Sequence, residues 1–242
     1  MVNKFNLLER LLEEKNMRLK GGLYHLTQIK FSYNSNHIEG SKLSEEQTRY
    51  IYETNTINID TGKTANVDDI IETVNHFACF DFLLDIAKRP LSHEIIKEFH
   101  RILKTNTSDS RREWFKVGDY KTMPNVVADT ETTPPGKVYS EMSVLLDLYN
   151  RLENIDIKEI IKFHYNFEKI HPFQDGNGRV GRLVMFKECL KYGIMPFIIE
   201  DEYKFFYYRG LKEFLRAEGY LVDACLSAQD KYAETVSYFS PE

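Results

Sequence analysis

Two runs of helical periodicity, residues 157–170 and 179–192, are joined by the stretch His171-Pro172-Phe173-Gln174-Asp175-Gly176-Asn177-Gly178-Arg179-Val180-Gly181-Arg182. This stretch constrains the chain more than any other. It puts a base candidate, a metal-ligand candidate, a glycine-rich turn and two arginines into one short run. Gly176 and Gly178 can take positive φ without steric cost, so the backbone can wrap closely around a ligand. Their amides, with that of Asn177, can point inward as an anion-binding nest. Val180, Leu183, Val184 and Leu190 recur at helical spacing, which predicts a helix starting near Gly178 with its positive dipole end facing the loop. Arg179 and Arg182 lie three apart and can project toward one side of that first turn, where two planar guanidinium forks suit a polyphosphate. Asp175 is a hard oxygen ligand placed to hold Mg2+ between phosphates. His171 is of the residue type whose ordinary pKa suits a general base near neutral pH.

The rest of the chain reads as helix after helix, over about 3–19, 22–38, 44–53, 66–88, 92–105, 139–153, 157–170, 179–192, 202–218 and 222–238. Its 242 residues allow one generous domain or a core with an N-terminal extension, and a hydrophobic content of 42% is enough for a sizeable core. The 16 Phe and 15 Tyr point to tight helix–helix packing. A net charge of −5 argues against a nucleic-acid partner, which needs a basic stripe. The three cysteines, Cys79, Cys189 and Cys225, are far apart in apolar helical surroundings, as expected of buried free thiols in a reducing compartment. The amphipathic, charged N-terminus lacks the apolar stretch of a signal peptide, and no run reaches membrane-spanning length. The expectation is a cytoplasmic protein with no membrane partner. A P-loop NTPase is disfavoured, since no Gly-x-x-x-x-Gly-Lys-Ser/Thr occurs.

His-Pro-Phe-x-Asp-Gly-Asn-Gly-Arg-x-x-Arg resembles the signature of the Fic-domain family, matched at every fixed position by residues 171–182. The resemblance implies an all-α, Fic-type helical bundle with a small β-hairpin flap over the active site. It also implies transfer of AMP from ATP to a Ser, Thr or Tyr hydroxyl of a target protein. By the same resemblance His171 would deprotonate the hydroxyl, and Asp175 would hold Mg2+ on the α- and β-phosphates. Gly176, Asn177 and Gly178 would form the nest, Arg179 would face the β-phosphate and Arg182 the γ-phosphate, and Phe173 would anchor the loop in the core. A branch that moves phosphate instead carries Lys where this chain has Gly178, so AMP transfer is favoured.

Ser35-Asn36-His37-Ile38-Glu39-Gly40 resembles the family's inhibitory motif. It stands before the catalytic core, as in the branch with the inhibitory helix in the same chain, here about residues 22–40. Leu23, Leu26, Ile29 and Tyr33 are expected on one face of that helix, and Gly40 is its C-terminal stop. In such relatives the Glu pairs with the second signature Arg, so Glu39, with Ser35 and Gly40 framing it, would restrain Arg182. A carboxylate competes with phosphate for the same bidentate donors. Residues 117–135, rich in Thr, Val and Pro, predict two extended runs with a polar turn near Asp129–Glu131; the alternative is a connecting loop with a Pro-Pro stop before the next helix. They resemble the family's flap, which aligns an extended target segment by strand pairing. Tyr208, among the aromatics at 203–211, is the candidate for an adenine wall. The expected division is an N-terminal helical region (1–89), a catalytic core (90–200) and C-terminal helices packed on the core (201–242). The alternatives to AMP transfer are an AMP-removing hydrolase using Glu39, transfer from another donor (UMP, phosphocholine) and a catalytically silent nucleotide-binding regulator. Self-modification and a homo-oligomer stay open.

Overall fold

The computed structural model describes residues 6–127 and 130–239. Ten α-helices account for almost all the regular structure among them: α1 (Leu7–Met17), α2 (Leu23–Ile38), α3 (Glu45–Thr54), α4 (Val67–Asp85), α5 (His93–Lys104), α6 (Pro135–Asn150), α7 (Ile157–Ile170), α8 (Asn177–Tyr192), α9 (Lys204–Glu213) and α10 (Gly219–Phe239). The fold is all-α. One minimal hairpin, β1 (Val126–Val127) and β2 (Thr130–Glu131), pairs antiparallel with Val126 opposite Glu131.

Local chemistry sets the helix ends that matter for the site. α7 starts where the Asp156 carboxylate accepts from the amides of Lys158 (2.9 Å) and Glu159 (3.0 Å), satisfying two orphan donors. Its buried residues Ile160, Ile161, Phe163, His164, Phe167 and Ile170 follow the helical period. It stops at His171, whose φ of 52° is left-handed. α8 begins one residue before Gly178, with Gly176 at φ 81° as its N-cap and no side chain capping it. From Asn177 to Leu190 every residue but Gly178 is buried, so α8 is the axis of the bundle, packed by α7, α4, α5 and α2.

α2 is a second interior helix, and here the structure departs from expectation. Leu26 and Tyr33 are not on the core face with Leu23 and Ile29; they lie with Lys30 and His37 on the one partly exposed stripe. The remaining sides are buried and include polar residues that find partners inside. Thr27 Oγ1 lies 2.9 Å from Tyr232 Oη, and Gln28 Nε2 donates to Tyr24 Oη at 2.9 Å. Phe31 of α2 stacks on Phe186 of α8, with centroids 5.1 Å apart, and Phe80 of α4 meets Phe186 edge-on at 5.4 Å. This aromatic knot joins the three helices under the site.

Other differences have local causes. α6 starts at Pro135 rather than near 139, because a proline at the first helical position loses no intrahelical hydrogen bond. The Pro-Pro pair therefore opens the helix instead of preceding it. The helix expected over 202–218 is split into a 3-10 turn at Asp201–Tyr203 and the shorter α9. Thr130–Glu131, expected in the turn of the hairpin, form its returning strand; Ala128 and Asp129 lie outside the described residues. Cys79, Cys189 and Cys225 are buried and free, and no described helix is long and apolar enough to cross a membrane.

α9 carries Tyr207 and Tyr208 and is held against α10 by close backbone approach at Gly210. A Cβ there would stand 2.6 Å from Leu221 Cα and 2.8 Å from its nitrogen. Backbone cannot yield as a side-chain tip can, so Gly210→Ala is expected to destabilise the fold by about 1–3 kcal/mol. The check is the midpoint of urea unfolding, and an unchanged midpoint would contradict this packing.

Candidate active site

The loop between α7 and α8 is pinned at both ends. Asn177, 2% exposed, folds its side chain back to accept from the Phe173 amide (2.8 Å) and donate to the Phe173 carbonyl (2.9 Å). Phe173 itself is fully buried and stacks on His100 with ring centroids 4.1 Å apart, which anchors the loop in the core. With the turn closed by its own side chains, the first turn of α8 has no side-chain cap, and such a helix end favours an anion.

The hairpin is tied to the same loop. The Lys121 amide donates to the Pro172 carbonyl (2.9 Å), and Asn125 Nδ2 donates to the carbonyls of Phe173 (3.4 Å) and Gln174 (3.5 Å). Lys121 Nζ bridges Asn125 Oδ1 (2.7 Å) and Thr132 Oγ1 (2.6 Å), so it joins the two arms of the hairpin beside the loop. Burial lowers the Lys121 ammonium to about 8.

His171 sits at the C-cap of α7 in left-handed geometry, with Nδ1 buried and without a hydrogen-bond partner. Burial first, then the Lys121 charge, pull it down to about 4, so the imidazole is neutral at pH 7 and able to accept a proton. Asp175 behaves oppositely. Burial alone would raise its pKa, but Arg179 and Lys104 overcome this and hold the carboxyl well below the usual carboxylate range. Its Oδ2 lies 2.6 Å from Lys104 Nζ and 3.3 Å from Arg179 Nη2.

The two arginines are buried, each 3% exposed, and each is engaged from within the bundle. Arg182 Nη2 donates to Glu39 Oε1 (2.7 Å) and to the Ser35 carbonyl (2.9 Å), while its Nε donates to Ser35 Oγ (3.1 Å). Arg179 Nη1 pairs with Glu72 of α4 and reaches Asn36 Oδ1 at 3.4 Å. Both guanidinium groups therefore reach α2, at the adjacent Ser35 and Asn36, while Arg179 also turns to Glu72 of α4 and Arg182 to Glu39. α2 ends because Gly40, at φ 103°, turns the chain, and this leaves Glu39 at the C-cap directed at α8. A Cβ at Gly178 would lie 2.2 Å from Glu39 Oε1, so the carboxylate rests against the first turn of α8 itself.

Tyr208 donates to the Ile38 carbonyl (3.3 Å) and so stands beside Glu39 at the end of α2, 43% exposed. Its neighbour Tyr207 is buried; the Tyr207 hydroxyl meets His164 Nε2 at 2.6 Å and its ring lies 5.9 Å from the Arg182 guanidinium carbon. Four participants had no sequence signal: Glu72, Lys104, Lys121 and Glu168. Each is an ordinary charged residue on a helix or loop, and only the tertiary packing gives it a role.

Among the described residues no group of three or more His, Cys, Asp or Glu side chains could hold a metal ion. The donor set fits a Mg2+ ion that takes one carboxylate, Asp175, with phosphate and water oxygens for the rest.

This is an all-α bundle with a neutral histidine and an internal carboxylate beside one uncapped helix N-terminus. Residues 90–189 match the Fic/DOC family model. It is 29% identical over 199 residues to "Protein adenylyltransferase Fic" of Culex quinquefasciatus, covering 74% of this chain and 35% of that protein. It is 28% identical over 192 residues to fic-1 of Caenorhabditis elegans, again named a protein adenylyltransferase, covering 76% and 36%. The chain thus spans about a third of the length of these curated relatives. Among solved structures, a Fic domain containing signaling protein from Bacteroides thetaiotaomicron superposes with a TM-score of 0.70 at 26% identity, covering 96% of this chain and 90% of that one. C. elegans Fic-1 gives 0.72 at 25%, covering 96% and 72%.

Glu168, on α7, has its Oε1 buried without a partner, and a Cβ at Gly181 would lie 3.0 Å from it. Burial, then the charge of Glu39, raise its carboxyl to about 8 against the opposing Arg182. The folded state therefore keeps a proton that the unfolded chain loses near 4.5, and the stability from this group is lost as pH rises through that window. Glu168→Gln is expected to flatten the fall in unfolding free energy between about pH 5 and about pH 8. Equal falls in both proteins, measured by denaturant titration, would reject the shift.

Proposed function

We propose that the chain is a protein adenylyltransferase that moves AMP from ATP to a Ser, Thr or Tyr hydroxyl, restrained by Glu39. The observation that carries this reading is a carboxylate held on Arg182 at the open N-terminus of α8, in the same loop as a neutral His171. The names of the relatives support the same activity. ATP is the co-substrate, and Asp175 is the residue that would hold Mg2+, which neutralises phosphate charge when bound.

The chemistry follows from the residues. A target hydroxyl oxygen attacks the α-phosphorus, a new P–O bond forms, and the bond to the β-phosphate oxygen breaks to release pyrophosphate. His171 takes the hydroxyl proton. The amides of Gly176, Asn177 and Gly178 and the guanidinium of Arg179 stabilise phosphate charge, and most of the rate gain is positioning and electrostatics. Arg182 is the donor for the γ-phosphate, and Glu39, supported by Ser35 and Gly40, occupies it. Tyr208 stands at the base side. The hairpin, anchored to the loop through Lys121 and Asn125, presents the target as an added strand. In this division residues 1–89 carry the restraint, 90–200 the chemistry and 201–242 the base wall. The buried free thiols fit a cytoplasmic setting.

The test is incubation of wild-type, Glu39→Gly and His171→Ala proteins with Mg2+ and ATP labelled at the α- or γ-phosphate. Label is expected from the α position only, on lysate proteins or on the enzyme itself. Loss of a site coupling of ordinary size predicts a gain of about 5–150-fold in Glu39→Gly. Loss of a general base predicts a fall of about 10²–10⁴-fold in His171→Ala. Label from the γ position, or none in any variant, overturns the reading; AMP release from modified protein would move it to the hydrolase.

A further inference from the structure

Behind the loop lies a four-membered charge cluster that the proposed chemistry does not by itself require. Glu72 pairs through one oxygen with Arg179 and through the other with Lys104 Nζ at 2.5 Å. The same two cations take Asp175 Oδ2 from the opposite side. Lys104 is 2% exposed and Arg179 3%, so neither charge is screened by solvent. The only other described contact of Lys104 with a carboxylate is Asp109 at 3.6 Å, on the rim and shared with Arg112. Two carboxylates thus balance two buried cations.

That balance has a chemical consequence. With both cations directed at one oxygen of Asp175, little of its negative charge would remain for another cation unless something else drew them back. Glu72 does so from α4, outside the family-matched segment. We propose that Glu72 is a positioning residue: by sharing Arg179 and Lys104 it offsets their charge, so that the ionised Asp175 can take a divalent cation together with a nucleoside diphosphate. The inference rests on the Mg2+-nucleotide reading of the loop. Removing the Glu72 charge makes the cluster net positive, which repels Mg2+ while leaving a metal-free phosphate attracted. Removing the Lys104 charge as well restores neutrality.

The experiment is calorimetric titration of ADP with excess Mg2+ and with chelator, on wild type, Glu72→Gln, Lys104→Gln and the double variant, with thermal midpoints as a check on folding. ADP is chosen because it lacks the γ-phosphate that Glu39 opposes. The Mg2+-dependent gain in affinity is expected to fall by about 10–100-fold in Glu72→Gln, the usual size for residues supporting a metal ligand. Metal-free affinity should hold or rise. Lys104→Gln should shift the gain the other way, and the double variant should restore it. A structural role alone would lower affinity with and without Mg2+ together and would be worsened, not rescued, by the second change; that outcome overturns the proposal. Should Glu72→Gln not fold, Lys104→Gln alone decides by the sign of its shift. A wild type whose ADP affinity ignores Mg2+ overturns the reading of the loop itself, whereas a Mg2+-dependent wild type matched by Glu72→Gln overturns only the role of Glu72.

Discussion

Burying two guanidinium groups in one central helix is the constraint around which this structure is arranged. A buried charge is tolerated only when paired and hydrogen-bonded. α8 is enclosed along most of its length, so the partners of Arg179 and Arg182 must arrive from other helices. They come from α4, as Glu72, and from the end of α2, as Ser35 and Glu39. This is why α2 runs through the interior although its sequence is rich in Ser, Asn, Thr and Gln. The N-terminal helices are part of the electrostatics of the core, not an appendage laid on it.

The same constraint bears on the proposal that a restraint and a substrate share one site. Arg182 needs an acceptor at every stage, because leaving it unpaired would strand a desolvated charge. Glu39 meets that need in the resting arrangement, and in the proposed reaction a phosphate meets it instead. The exchange replaces one anion by another on the same donors, so its net free energy is a small difference between two large terms. At the end of α2, Tyr208 holds the Ile38 carbonyl and Gly40 sets the direction of the chain, so these residues fix where Glu39 stands.

What was legible in the sequence follows from how local the determinants are. α7 was placed to the residue, because its cap at Asp156 and its stop at His171 are encoded within a few positions. The glycine geometry at 176 and the helix start beside it are equally local. The face of α2 was misassigned because periodicity treats polar residues as outward, whereas here they are buried and satisfied by Tyr232, Tyr24 and Arg182. The direction of Arg179 was not legible either. It depends on Glu72, over a hundred positions away, and no spacing rule separates that glutamate from a solvated one. The proline at 135 was read as a stop by its common effect, when its position made it a start.

Burial also decides which groups at the site carry charge. It drives His171 down to about 4, Glu168 up to about 8 and Lys121 down to about 8, each toward its neutral form. Asp175 alone among these is driven firmly to the charged form, and only because two cations stand behind it. The loop thus carries one fixed carboxylate, one neutral base and an uncapped helix end, which for the proposed reaction is a preorganised field that needs little rearrangement when charge develops. In the proposed reaction a polyphosphate would either take over a buried donor that already has a partner, as at Glu39, or bring a cation of its own to Asp175.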